Sequence, residues 1–155
     1  MTRMRRIWSG AEGIGPAPAT PGGPEVLFGA FADPALQRIA RHGDGFLCVA
    51  PPPWAGDLFA KVERFWTAAG RDGRPRMVAQ VNVALESDVD ETRAAIAAYY
   101  AFSDCGKNMV EGMLTTPEQV REAAKHFADL GADELMLYCW GTDPGQVGRL
   151  ADVVS

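Results

Sequence analysis

The turn Gly29-Ala30-Phe31 is the part of this sequence best suited to binding a ligand. It ends an apolar run and precedes Asp33-Pro34, a pair typical of a helix start. Amides at a helix N-terminus favour anions, and small residues let the backbone approach a phosphate closely. The turn therefore predicts an anion contact, with tight packing of strand against helix as the alternative use of the same residues. The chain contains no GxGxxG or GxxxxGK[ST] motif, which disfavours a dinucleotide-binding Rossmann site and a P-loop.

Few other residues offer reactive chemistry. Trp140 ends the last predicted strand, where an aromatic side chain can pack on a flat ring system or belong to the core. His42 lies near a predicted helix end and His126 on a later helix, so we expect a capping role and a solvated or partly packed side chain. With no second histidine or carboxylate at ligand spacing, the sequence predicts neither a metal site nor a catalytic cluster. Cys48 and Cys139 fall in apolar runs and are predicted to pack as small hydrophobes, whereas Cys105 is a candidate exposed thiol.

Composition limits the classes of protein to consider. The chain has 155 residues, a net charge of −5 and a sequence pI near 5.0, which argues against a nucleic-acid or anionic-membrane surface. No apolar run approaches the ~20 residues of a membrane helix, and the basic residues near the N-terminus are not followed by the apolar segment of a signal peptide. We therefore expect a cytoplasmic protein. Residues 1–23 are rich in Gly, Pro and Ala and predict an extended arm or linker.

The elements that position these residues alternate between strands and helices. Strands are predicted at 25–31, 45–50, 77–85 and 134–140, each followed by a helix, and their unbroken apolar runs are typical of parallel strands buried on both faces. Residues 103–115 predict a long loop. This pattern fits a doubly wound sheet or about half of a (β/α)8 barrel, which normally needs ~250 residues.

Helix signals place further residues. Asp88 with Glu91, and Thr116 with Gln119, have capping-box spacing, and Gly43, Gly70 and Gly131 follow predicted helices. Trp54 and Trp66 share a helical stripe that predicts two core residues.

Four segments together resemble the C-terminal part of the luciferase-like monooxygenases, flavin- or deazaflavin-dependent oxidoreductases. They are GPAPATPGGPEVLFGAF, PALQRIARHGDGFL, TPEQVREAAKHFADLGADELMLY and DPGQVGRLADVV. The resemblance implies that residues 24–155 form the C-terminal half of a (β/α)8 TIM-type barrel, with FMN or a deazaflavin bound at its C-terminal mouth. It implies that Gly29, Ala30 and Phe31 contact the cofactor phosphate, and we add Trp140 as a ring contact. In the family this turn is usually Gly-Gly-Ser, so Ala30 and Phe31 remove a side-chain donor.

The resemblance leaves more than one function open, because the family's N-terminal half has no counterpart here. The chain is expected to act as an oxidoreductase or monooxygenase, with its half-barrel closed by a second copy into a homodimer. The alternative is a non-catalytic half-barrel that serves as a structural or regulatory partner of a full-length relative. A third expectation is a truncated reading frame whose upstream sequence encodes the missing half.

Overall fold

The structure is a computed structural model that describes residues 1–103 and 106–155, without the side chain of Ser87. Its four strands are parallel and belong to one sheet in the order β1-β2-β3-β4, which confirms the predicted α/β class with βα repeats. The strands are β1 (Leu27–Phe28), β2 (Gly45–Cys48), β3 (Arg76–Val83) and β4 (Glu134–Cys139). The helices are α1 (Thr2–Trp8), α2 (Asp33–His42), α3 (Pro52–Ala68), α4 (Val89–Tyr99), α5 (Gly106–Glu111), α6 (Pro117–Asp129) and α7 (Gly145–Val154). A 3₁₀ turn, Glu86–Asp88, precedes α4. Among the residues described, no helix has the length and apolarity needed to cross a membrane.

The chain divides into two compact units, and the first comprises residues 1–47 and 60–76. Its core contains the fully buried side chains of Leu36, Ile39 and Phe46. Gly43 follows α2 as predicted, but its φ of −92° is not left-handed. Its glycine identity has a packing reason instead, because an added Cβ would lie 2.9 Å from the Phe28 ring. Helix α1 occupies part of the segment 1–23 for which the composition predicted an extended chain.

The second unit comprises residues 48–59 and 77–155. Strands β3 and β4 pair from Val78↔Glu134 to Val83↔Cys139. β3 is almost wholly buried, whereas exposed and half-buried residues alternate along β4. The prediction of a continuously buried last strand is therefore wrong, because successive side chains of a strand point to opposite faces and the face with Glu134, Met136 and Tyr138 is exposed.

Helix starts in this unit confirm one capping box and contradict the other. Thr116 Oγ1 accepts the Gln119 N–H at 3.3 Å, and Gln119 Oε1 accepts the Thr116 N–H at 3.2 Å. Asp88 makes no capping bond to α4 and instead accepts a hydrogen bond from Arg149 Nη2 at 2.7 Å. The predicted loop 103–115 contains α5, so that prediction is also wrong over residues 106–111.

The two described cysteines have the predicted burial, whereas only one of the two tryptophans assigned to the core is buried. Cys48 is buried and Cys139 half-buried, as expected of packed thiols, and burial raises the pKa of both. The candidate thiol Cys105 lies outside the described residues. Trp66 is buried as predicted, but Trp54 is 53 % exposed, so its assignment to the core is wrong.

Candidate functional site

The turn Gly29-Ala30-Phe31 connects β1 to α2 in the first unit. A Cβ added to Gly29 would meet only Leu47 O, at 3.4 Å, so close packing does not by itself demand glycine there. Ala32 is the N-cap of α2, and among the described residues no side chain caps its first turn. Phe31 is 56 % exposed. The turn thus offers backbone groups to a ligand and no side-chain hydroxyl.

The first turn of α2 carries its own charge pair. Asp33 is the acidic residue of this turn, and its Oδ1 accepts a hydrogen bond from Lys61 Nζ at 2.9 Å. A carboxylate at a helix N-terminus uses the favourable end of the helix dipole that a bound anion would also use. Because Lys61 neutralises Asp33, the pair leaves the turn without a net negative charge to repel a phosphate.

Trp140 lies in the second unit, just after β4, where its orientation is fixed by a hydrogen bond. Its indole Nε1–H donates to Asn82 Oδ1 at 2.9 Å, and Asn82 is only 6 % exposed near the end of β3. Trp140 is half-buried and packs against the core cluster formed by the buried residues Ala84, Ile96 and Met113. The residue therefore contributes both to the core and to the carboxyl edge of the sheet.

Three tyrosines surround this tryptophan. The ring centroids of Tyr99, Tyr100 and Tyr138 lie 5.4, 6.3 and 5.7 Å from that of Trp140. We call these four residues the aromatic cluster. Tyr99 and Tyr138 are 61 % and 46 % exposed, so the cluster presents open aromatic surface beside the carboxyl ends of β3 and β4. Ligands of parallel βα proteins bind at this end of the strands.

Asn82 and Tyr99 were not identified from the sequence. Asn82 is a polar residue within the apolar run MVAQVNVAL, and that was the signal available for it. The predicted turn residues lie in the first unit and Trp140 lies in the second.

An ion-pair network also lies near the carboxyl end of β4. Arg149 Nη2 donates to Asp88 Oδ2 at 2.7 Å and to Asp143 Oδ2 at 3.1 Å. The Gly145 N–H and then Arg149 hold the pKa of Asp143 below its usual value. The network joins the start of α4 to α7. In the described ranges, no group of three His, Cys, Asp or Glu side chains is placed to hold a metal ion.

A cavity of about 510 Å³ also lies in the second unit. Both Trp54 and His126 line it, and His126 Nε2 lies 3.0 Å from the Pro52 carbonyl oxygen. His126 is exposed, in agreement with the solvated side chain predicted for it.

The sequence matches the family model described as luciferase-like monooxygenase over residues 5–154. This chain belongs to the luciferase-like monooxygenase family. No curated protein sequence matches it.

Solved structures share the luciferase-like fold at low identity. An F420-dependent secondary alcohol dehydrogenase, in complex with an F420-acetone adduct, matches with a TM-score of 0.63 and 13 % identity over 91 % of this chain and 50 % of its own. The coenzyme F420-dependent tetrahydromethanopterin reductase from Methanopyrus kandleri gives 0.61 and 13 %, over 97 % and 59 %. A long-chain alkane monooxygenase gives 0.65 and 14 %, over 90 % and 42 %. This luciferase-like chain thus spans about half the length of the structures that it resembles.

Proposed function

We propose that this chain is a half-barrel of a flavin- or deazaflavin-dependent oxidoreductase or monooxygenase. In the first unit, the amides of the Gly29–Phe31 turn would contact a cofactor phosphate. In the second unit, the aromatic cluster at Trp140 would offer a packing surface to a flat ring. When bound, the reduced cofactor supplies hydride transfer or activation of dioxygen. The observation that carries the proposal is the open aromatic surface at the carboxyl edge of β3 and β4, in a chain of this family.

The residues present fit such a cofactor. A Cβ added at Gly29 would meet only Leu47 O within 4 Å among the described residues, and no side chain that the structure describes caps α2. Trp140 is held by Asn82, so its ring is oriented before a ligand arrives. Two of the similar structures are named for coenzyme F420 and one for alkane oxygenation, so both FMN and a deazaflavin are candidates.

Calorimetric titration with FMN, riboflavin and F420 tests the cofactor role. Gly29→Asp places a carboxylate beside the proposed phosphate and should weaken FMN binding by about fivefold or more, while riboflavin, which has no phosphate, should bind unchanged. Gly148→Asp makes the same charge change on α7, where a Cβ meets nothing within 4 Å, and should leave all three affinities unchanged. If neither FMN nor F420 binds at high micromolar concentration, the cofactor proposal is wrong.

The replacement of the family's hydroxyl by the exposed Phe31 favours a second candidate, a non-catalytic half-barrel partner of a full-length relative. Turnover of reduced cofactor with dioxygen or a carbonyl acceptor separates the two functions. Sustained turnover by the purified chain excludes the non-catalytic role. Cofactor binding without turnover supports it.

We also propose that β4 pairs with a second copy of this chain. Met136 and Tyr138 are 41 % and 46 % exposed on this edge strand, which is the kind of edge that recruits another strand. Two copies together have about the length of the similar structures, of which one copy covers 42 % to 59 %. Light scattering should show a dimer that Met136→Lys dissociates, whereas Val147→Lys, at an exposed site on α7, should leave it intact. A monomeric wild-type chain contradicts the proposal.

A further inference from the structure

The cavity at the start of α3 has apolar walls and an exposed indole. The side chain of Trp54 is 53 % exposed, so much of its aromatic surface is in contact with water and is not stabilised by burial. Trp54 shares this cavity with residues from α5 and α6 and from the segments beside them. The lining residues are Pro51, Pro52, Pro53, Trp54, Asn108, Glu111, Gly112, Met113, Leu114, Gln119, Glu122, Ala123 and His126.

Two contacts fix the cavity wall. The backbone N–H of Trp54 donates a hydrogen bond to the backbone carbonyl oxygen of Pro51 at 2.9 Å, within the first turn of α3. His126 Nε2 lies 3.0 Å from Pro52 O, and because a carbonyl only accepts, this nitrogen carries the hydrogen. This hydrogen bond ties helix α6 to the segment that carries Trp54.

The charge in the cavity is negative. Glu122 makes no hydrogen bond or ion pair with any residue that the structure describes, and it shares one face of α6 with Gln119 and His126. Glu111 Oε1 lies 3.7 Å from Lys107 Nζ, and both side chains are largely exposed. Among the described lining residues there is no Lys or Arg.

We propose that this cavity binds a small organic cation, an ammonium or guanidinium group on an apolar or aromatic body. Trp is the strongest cation–π partner among the side chains, and the two glutamates add charge complementarity that a neutral or anionic ligand lacks. The prolines, Met113 and Leu114 provide the apolar surface for the body of the ligand. This site does not depend on the cofactor proposal, since none of its lining residues belongs to the predicted cofactor set.

Three probes of equal size separate charge from shape: benzylammonium, benzyl alcohol and benzoate. Binding to the full chain at pH 7 is followed by NMR of the tryptophan indole N–H signals, with Trp54 assigned from Trp54→Leu. Benzylammonium should bind about tenfold more tightly than benzyl alcohol, and benzoate more weakly still. Equal affinities for the three probes overturn the proposal.

Two variants and a control locate the site. Trp54→Leu and Glu122→Gln should each weaken benzylammonium binding by about threefold or more. Glu122→Gln should affect the binding of benzyl alcohol far less, because this probe carries no charge. Glu118→Gln removes the same charge from the same helix, outside the cavity, and should have no effect. If Glu118→Gln weakens binding as much as Glu122→Gln, the attraction comes from the protein's net charge and the site is refuted. Circular dichroism establishes that each variant is folded.

Discussion

Trp140→Phe tests how the aromatic cluster is held at the carboxyl edge of the sheet. The substitution keeps an aromatic ring next to the buried residues Ala84, Ile96 and Met113. It removes the indole N–H, which donates to Asn82 Oδ1 at 2.9 Å. Asn82 is only 6 % exposed, so water does not readily replace the lost donor. Leaving a buried acceptor unpaired costs about 1–3 kcal/mol, and we expect the free energy of unfolding to fall by that amount.

The double variant separates the hydrogen bond from lost packing. Asn82→Leu alone removes the acceptor, and its cost should be smaller because Trp140 is only half-buried and its N–H can reach water. When both partners are apolar, no acceptor is left unpaired. Trp140→Phe with Asn82→Leu should therefore cost less than the sum of the single variants, by about 1 kcal/mol.

Urea unfolding followed by far-UV circular dichroism measures these energies without relying on Trp140 fluorescence. Tyr138→Phe is the matched control on the same cluster, because the tyrosine is 46 % exposed and loses only its hydroxyl. It should change stability by less than about 0.5 kcal/mol. If Trp140→Phe costs no more than this control, or if the two single variants are additive, the hydrogen bond does not hold the cluster.

Three further substitutions test packing, capping and charge. Gly45→Ala should lower the free energy of unfolding in urea by about 2 kcal/mol or more, because the new Cβ would lie 2.7 Å from Leu27 Cδ2 and would also clash with the Arg76 carbonyl oxygen. Gly148→Ala, at an uncrowded position on α7, should raise it by about 0.5–1 kcal/mol. An equal effect of the two substitutions would contradict the packing argument. Thr116→Ala should cost about 0.5–2 kcal/mol by losing the capping box, and Thr116→Ser should restore most of it. Asp143 has a lowered pKa in the folded chain. Its contribution to stability is therefore present above the unfolded pKa of about 3.9 and is lost as the pH falls through the folded pKa. Asp143→Asn should reduce the loss of stability below about pH 5 and leave the stability at alkaline pH unchanged.

The sequence predicted those elements that short-range chemistry determines. The Thr116 box depends on residues three apart and formed as expected. Gly70 and Gly131 follow helices with φ of +69° and +82°, the left-handed conformation that favours glycine. The order of strands and helices followed from apolar runs of strand length alternating with helical spacing.

Two of the predictions that failed depended on residues distant in sequence. Asp88 has the spacing of a cap, but Arg149 lies 61 residues away in sequence and takes its carboxylate. Trp54 has core spacing on α3, yet the structure places it at the edge of a cavity. The hydrogen bond between Asn82 and Trp140 joins β3 to the residue that follows β4, 58 residues away in sequence, so nothing local to either residue reveals it.

In the last strand, β4, apolar residues that the sequence predicts to be buried are exposed on the surface of the single chain. The run ELMLYC has no alternation, which is typical of a strand covered on both faces, yet Met136 and Tyr138 are exposed. Exposed apolar residues on an edge strand favour association, and a chain under no other demand would place charges there. The mismatch is explained if the surface that covers β4 is supplied by another chain, as in the dimer proposed above. Substitutions at Met136 should therefore change the oligomeric state more than the stability of the isolated fold.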